Sequence, residues 1–192
     1  SPGPFMGRVP EIGLLVDRWQ LAKQGEGQGI FLSGEAGMGK SRILETLCER
    51  ISGHPYYHVI CQCSPYHTNS ALHPVIRQLE RSAAFTLEDS EATKLEKLEA
   101  LLSETDNLSD TTTNLFAGLL AIPLENRPPL ALSPAQRKTA TIAAIVHQLT
   151  RLSEQKPLLF ALEDDHWIDP TTQGLVDRLI DGIGSARVLV IG

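Results

Sequence analysis

The stretch "FLSGEAGMGKS", Phe31 to Ser41, sets three glycines, a lysine and a serine behind an apolar run. Its spacing is Gly34, four residues, Gly39, Lys40, Ser41, the full pattern of a phosphate-binding loop. Glycine reaches backbone angles closed to other residues, so such a loop can curl and turn successive amide hydrogens inward. On this reading the backbone of Gly34, Glu35, Ala36, Gly37, Met38 and Gly39 cradles a run of phosphates. Lys40 reaches the terminal phosphates as a point charge, and Arg42 stands just beyond. Ser41 offers its hydroxyl to Mg²⁺, an ion that keeps several waters and takes few protein ligands. A helix opening near Gly39 adds its positive end to the same spot. At average composition the four fixed positions match by chance in roughly one chain in a hundred of this length, so the spacing itself carries weight.

A phosphate cradle hydrolyses nothing without acidic groups. "PLLFALEDDHW" supplies them: an apolar run ends in Glu163, Asp164 and Asp165. Three adjacent carboxylates repel one another unless a cation or hydrogen bonds compensate. Glu163, the first acid, is assigned to Mg²⁺ through water, and Asp164 to orienting or polarising the attacking water. The two assignments can be exchanged, and Asp165 is expected to be a spectator. His166 and Trp167 read first as packing or hydrogen-bonding residues, with His166 the one that could act near a terminal phosphate. Asp169 followed by Pro170 reads as a helix N-cap and first helical residue, a structural role.

These groups must be held by regular elements. "GIFLS" (Gly29 to Ser33), "YYHVIC" (Tyr56 to Cys61), "PLLFAL" (Pro157 to Leu162) and "RVLVI" (Arg187 to Ile191) read as strands. Continuous apolar runs separated by helices predict an α/β fold with a parallel sheet covered on both faces. "KSRILETLCERI" predicts a helix with Ile43, Leu44, Leu47 and Ile51 on its buried face. Too many residues lie between the second and third strands for one crossover, so a multi-helix insertion is expected over about 64–132. Its stripes are Leu72, Val75, Ile76 and Leu79, then Leu95, Leu98, Leu101 and Leu102, then "NLFAGLLAI", stopped by Pro123. The charges of "EATKLEKLEA" read as a solvated face. A further helix is capped by Ser133, with Pro134 at its first position and Gln136 closing a capping box; Ile142, Ile145, Val146, Leu149 and Leu152 form its buried face.

Bulk properties narrow the classes. The chain has 192 residues, 42% hydrophobic and 21% charged, which suits one soluble globular domain spanning 1–192. A formal net charge of −6 disfavours direct nucleic-acid binding. No apolar run is long enough for a membrane helix, and the start "SPGPFMGR" lacks the pattern of a secretory signal. Cys48, Cys61 and Cys63 suggest no disulfide framework. The one-residue gap between Cys61 and Cys63 is too tight for a usual zinc pair, even with His58 and His67 nearby. A reducing, cytoplasmic setting fits.

Taken in order, "FMGRVPEI", "LSGEAGMGKSRI", "CSPYHTNSALHPVI", "KLEKLEALL" and "LEDDHWIDPTT" resemble the AAA-type ATPase module of the signal-transduction (STAND) kind found in large bacterial regulators. The resemblance is strongest to modules joined to class III adenylate cyclase domains and followed by tetratricopeptide repeats; LuxR-type regulators carry related ones. It implies a P-loop NTPase three-layer sandwich with "RVLVI" lying between the phosphate-loop strand and the acid-bearing strand. It also implies that Gly7 and Arg8 border the nucleotide, with Glu11 close by, and that the base is adenine. Such modules continue into a sensor segment, a helical lid and a winged-helix domain, none of which this sequence contains. The expectation is therefore an ATP- or ADP- and Mg²⁺-binding switch, slow in hydrolysis within its full-length protein and weak or inactive as this core. The partners implied are the nucleotide, fused cyclase or DNA-binding output domains and tetratricopeptide repeats, with no membrane. Two rivals share the phosphate loop: a P-loop kinase, and a non-hydrolysing scaffold with a vestigial nucleotide site.

Overall fold

The computed structural model describes residues 9–32 and 38–192. Four strands, β1 (Gln28–Ile30), β2 (Tyr57–Gln62), β3 (Leu158–Glu163) and β4 (Val188–Ile191), form one parallel sheet in the order β1-β4-β3-β2. The fold is α/β, with β4 between β1 and β3 as the resemblance implied. Strand β1 is shorter than the expected Gly29 to Ser33 and starts one residue earlier. Its pairing with β4 continues past its end, where the Leu32 N–H donates to the Gly192 carbonyl at 2.7 Å.

Side chains two apart on a strand share a face, and the core divides by that parity. Leu159, Ala161, Leu189 and Ile191 face one way, onto α1 (Val9–Lys23) and α2 (Met38–Ile51). Helix α1 presents Ile12, Leu15, Trp19 and Ala22 at helical spacing, and α2 presents Ile43, Leu44, Leu47 and Ile51, all buried. Leu158, Phe160, Leu162, Val188 and Val190 face the other way. There they meet α3 (His73–Ser82), α4 (Glu91–Ser103), α5 (Asp110–Leu119), α6 (Pro134–Gln155) and α7 (Pro170–Gly182). Close packing at the β1 end depends on Gly27, where any Cβ would collide with the Ile183 carbonyl.

The insertion holds three α-helices, α3, α4 and α5, and the α6 that follows it is capped as its sequence predicts. Ser133 accepts from the Gln136 N–H, and Gln136 returns the bond through its side chain. Ile145 and Leu149 of its apolar stripe are buried, while Ile142, Val146 and Leu152 are half-buried. Helix α5 ends differently from expectation: it stops at Leu119, ahead of Pro123. Ala121 is left-handed (φ 56°), and the Ile122 N–H returns to the Ala117 carbonyl at 2.8 Å, a Schellman closure. Ala84 (φ 57°) closes α3 in the same way, and Asp106 (φ 55°) closes α4. Lys97 departs from the solvated face: its ammonium donates to the Ala84 carbonyl at 2.7 Å and to Asp89 at 2.8 Å, tying α4 to the end of α3. That ammonium, with the Thr86 N–H, holds the Asp89 carboxyl down at about 2.

Strand β2 is an edge, and its open backbone is covered by α3. Gln78 accepts from the Ile60 N–H and Arg81 donates to the Ile60 carbonyl, which blunts the edge against pairing with another chain. Asp169 fastens the insertion to the sheet end. It caps α7 by accepting from the Thr172 N–H at 2.9 Å, takes the Thr172 hydroxyl as well, and accepts from the Leu72 N–H at 3.2 Å, where the chain enters α3.

Asp169→Ala removes a cap and leaves the buried Leu72 and Thr172 donors without their acceptor; it is expected to cost about 2–4 kcal/mol in urea unfolding. Ala84→Gly and Ala121→Gly are each expected to gain up to about 1 kcal/mol in the same measurement, because glycine carries no penalty at left-handed φ.

Candidate functional site

Parallel strands place their ligand chemistry beyond their carboxyl ends, and there the sequence-predicted groups meet. Helix α2 opens at Met38, so Gly39, Lys40, Ser41 and Arg42 lie at its start, where the unpaired backbone N–H groups and the positive end of the helix dipole favour an anion. Opposite, β3 delivers Glu163 at its last position, followed by Asp164 and a single 3₁₀ turn over Asp165–Trp167. One cleft is lined by Lys40 and Ser41 on one side, by Glu163, Asp164, Asp165 and His166 on the other, and by Gly192 at the β4 end. Gly7, Arg8, Gly34, Glu35, Ala36 and Gly37 lie outside the described residues. Glu11 is exposed in the first turn of α1.

Each acid has its own surroundings. Glu163 is half-buried, and burial, then Asp164, then Glu45 push its carboxyl above the ordinary carboxylate range. Asp164 is exposed and left-handed (φ 53°, ψ 43°), a conformation aspartate adopts more readily than most side chains. The Gln62 amide of neighbouring β2 donates to the Asp164 carboxylate at 2.5 Å. Asp165, expected to be a spectator, is paired instead. Its carboxylate lies 3.4 Å from the Lys40 ammonium, with both side chains about three-quarters covered (28% and 27% exposed). Gly192 makes room for this arrangement, since a Cβ there would lie 2.6 Å from the Phe31 ring and 3.4 Å from Asp165. His166 and Trp167 are both exposed, with rings 4.9 Å apart, and His166 faces the cleft.

The acids are felt beneath the site. Burial pushes the Cys63 thiol up to about 12, with Asp169, Asp165 and Asp164 raising it further; burial and Cys63 push Cys61 up to about 12. These cysteines are free, neutral thiols. Among the described residues no group of three or more His, Cys, Asp or Glu side chains is arranged to hold a metal.

The model of the AAA ATPase domain matches residues 4–191. The chain belongs to the AAA ATPase domain family. An uncharacterized protein of Rhizobium meliloti (strain 1021) is 26% identical over 194 residues, covering 98% of this chain but 18% of that protein. This chain thus spans less than a fifth of that relative's length. No solved structure matches it. No helix among the described residues is long and apolar enough to cross a membrane.

For an AAA ATPase domain the implied ligand is ATP with Mg²⁺, and the donor set of the cleft fits both. A lysine and a helix start face the place for phosphates, while a hydroxyl and carboxylates stand across a short gap, which suits an ion held mainly by phosphate and water. Two participants escaped the sequence reading. Gln62 could be found only by knowing that β2 pairs with β3 so that Gln62 meets Glu163. The pairing of Asp165 with Lys40 spans 125 positions of sequence, and no local pattern announces it.

The raised Glu163 carboxyl means that the folded chain binds this proton more tightly than the unfolded chain. Its penalty is therefore absent below about pH 4 and grows as pH rises through the folded-state value. Glu163→Gln is accordingly expected to raise the thermal midpoint at pH 7, with the difference closing as the pH falls towards 4, in melting curves recorded across that range.

Proposed function

We propose that residues 1–192 form the ATPase core of a regulatory switch protein, which binds ATP or ADP with Mg²⁺ at the cleft between α2 and the end of β3. The observation that carries this reading is the meeting of Lys40 and Ser41, at a helix N-terminus, with three consecutive acids at the exit of a buried strand. Membership of the AAA ATPase domain family supports the choice of nucleotide.

In this reading the loop amides from Gly34 to Gly39 wrap the phosphate chain and Lys40 pairs with its terminal oxygens. Gly7 and Arg8 border the nucleotide and Arg42 stands at the rim. Bound Mg²⁺ supplies charge neutralisation at the phosphates. Ser41 contributes its hydroxyl to the ion, and Glu163 holds it through water. Asp164, fixed by Gln62, presents a carboxylate to orient a water for in-line attack. Asp165 holds Lys40 extended across the cleft until phosphate oxygens compete for it.

Hydrolysis is slow and Mg²⁺-dependent, and in this reading it relies on parts of the full-length protein beyond these residues. Bound triphosphate holds one arrangement of neighbouring domains, and hydrolysis or exchange releases it. The long relative leaves room for such domains. We assign the module to the STAND kind of signalling ATPase, serving a cyclase or DNA-binding output with tetratricopeptide repeats, in the cytoplasm. The cyclase chemistry itself belongs to no residue of this chain.

Titration calorimetry with ATP and Mg²⁺, on this chain and on the full-length protein, tests the core of the reading. Lys40→Ala is expected to weaken binding about 10- to 100-fold, the loss of a charged hydrogen bond to phosphate. Asp165→Asn is expected to tighten it about two- to fivefold, because a part-exposed ion pair no longer competes. Unchanged affinity in Lys40→Ala would overturn the phosphate assignment.

A further inference from the structure

His166 lines the cleft with Asp164, Asp165, Lys40 and Gly192, and it is exposed. Its ring nitrogens meet no hydrogen-bond partner among the described residues, and its ring contact is with Trp167, at 4.9 Å and 48°. An imidazole that neither packs into the core nor completes a hydrogen bond adds little to the fold, so its place in the cleft needs another reason.

The backbone that carries it is fixed. The Trp167 N–H donates to the Asp164 carbonyl at 3.0 Å and the Ile168 N–H to the Asp165 carbonyl at 3.1 Å, closing the 3₁₀ turn. Asp169, three residues on, is buried and begins α7. His166 thus stands on a short, braced turn, and a donor held in place loses little freedom on meeting a ligand.

The acid side of the cleft lacks donors. Ionised Glu163, Asp164 and Asp165 present acceptors alone. Among the described lining residues His166 is the single side chain on that side with an N–H to give. Across the cleft, Lys40 is already paired with Asp165. A terminal phosphate brings three strong acceptor oxygens. An oxygen not taken by Lys40 or a cation would meet carboxylates, which repel it, were it not for the imidazole.

We propose that His166 is the residue by which this cleft distinguishes a nucleoside triphosphate from a diphosphate: its imidazole N–H donates to an oxygen of the terminal phosphate, which the diphosphate lacks. The proposal rests on the reading of the cleft as a nucleotide site. It gives His166 a task in ligand discrimination, measurable by binding without turnover.

The test is titration calorimetry on the full-length protein with Mg²⁺ and either ADP or the non-hydrolysable imido analogue of ATP. His166→Ala is expected to weaken the triphosphate about tenfold, the lower range for a hydrogen bond to a charged group because His166 is exposed, and to leave ADP within about twofold. His166→Asn and His166→Gln carry an amide N–H near the positions of Nδ1 and Nε2, and one of them is expected to restore most of the triphosphate affinity. A merely structural role predicts an equal loss for both nucleotides and no such recovery. Lys40→Ala, measured beside them, separates two failures. Suppose it weakens binding, but His166→Ala changes neither nucleotide, or both alike, or neither amide variant recovers; the assignment of His166 is then overturned while the nucleotide site stands. If Lys40→Ala leaves binding unchanged, the nucleotide site itself falls, and the role of His166 with it.

Discussion

Strand β3 is buried on both faces from Leu158 to Leu162, and its first ionisable side chain stands where it leaves the sheet. A central strand of a parallel sheet has little alternative: a carboxylate any earlier would lose its hydration without a partner. Polarity is thereby displaced to the exit, and three acids accumulate there within one turn. The same constraint acts on β4, whose four residues are all buried and whose continuation reaches the cleft as Gly192. Because β4 lies between β1 and β3, the carboxyl end of β1 and the acids after β3 stand one strand apart. The cleft follows from where apolar strands end.

The insertion depends on the same exit. Asp169 follows the acids closely in sequence but is buried, and it uses its carboxylate to begin α7 and to hold the entry to α3 at Leu72. A buried carboxylate is tolerable only when its oxygens are supplied with donors, and here backbone N–H groups from two distant segments supply them. The chain therefore spends Asp164 and Asp165 on the cleft and Asp169 on architecture. The inserted helices are anchored at α3, one short turn away from the candidate site. Their other attachment, Gln78 and Arg81 to Ile60, closes the free edge of the sheet.

What the sequence made legible follows from how local each determinant is. Strands β3 and β4 could be read because burial on two faces leaves unbroken apolar runs, and the caps of α6 and α7 because Ser133, Gln136 and Asp169 act within four residues of themselves. The ends of α3, α4 and α5 were obscure for an equally local reason: their left-handed closing residues are Ala84, Asp106 and Ala121, where glycine would have marked the stop. Pro123 marked the wrong place, since the Schellman closure had already turned the chain. The partnerships of Gln62 with Asp164, Asp165 with Lys40 and Gln148 with Thr105 were beyond reach, because each depends on strand register or helix docking. The buried face of α6 shows the same limit: its apolar stripe was evident, but Thr141, Gln148 and Ser153 are buried beside it, and hydrophobic periodicity assigns polar residues to the solvent side.

These arrangements leave the cleft short of its best electrostatic state. Glu163 is held partly out of water next to Asp164, and Lys40 pairs with one of the three acids, Asp165. Like-charged carboxylates next to one another at a strand exit are a place where local rules are expected to fail. A cation brought in with an anion relieves several of these terms together: it offsets repulsion among the acids, and the anion gives Lys40 a second partner. Anything that binds the folded chain in this way adds to its stability by mass action. Because Asp169 and the acids belong to one short segment between β3 and α7, that added stability falls on the segment that also anchors the insertion. Ligand binding at the cleft and docking of the inserted helices therefore draw on a common structural element.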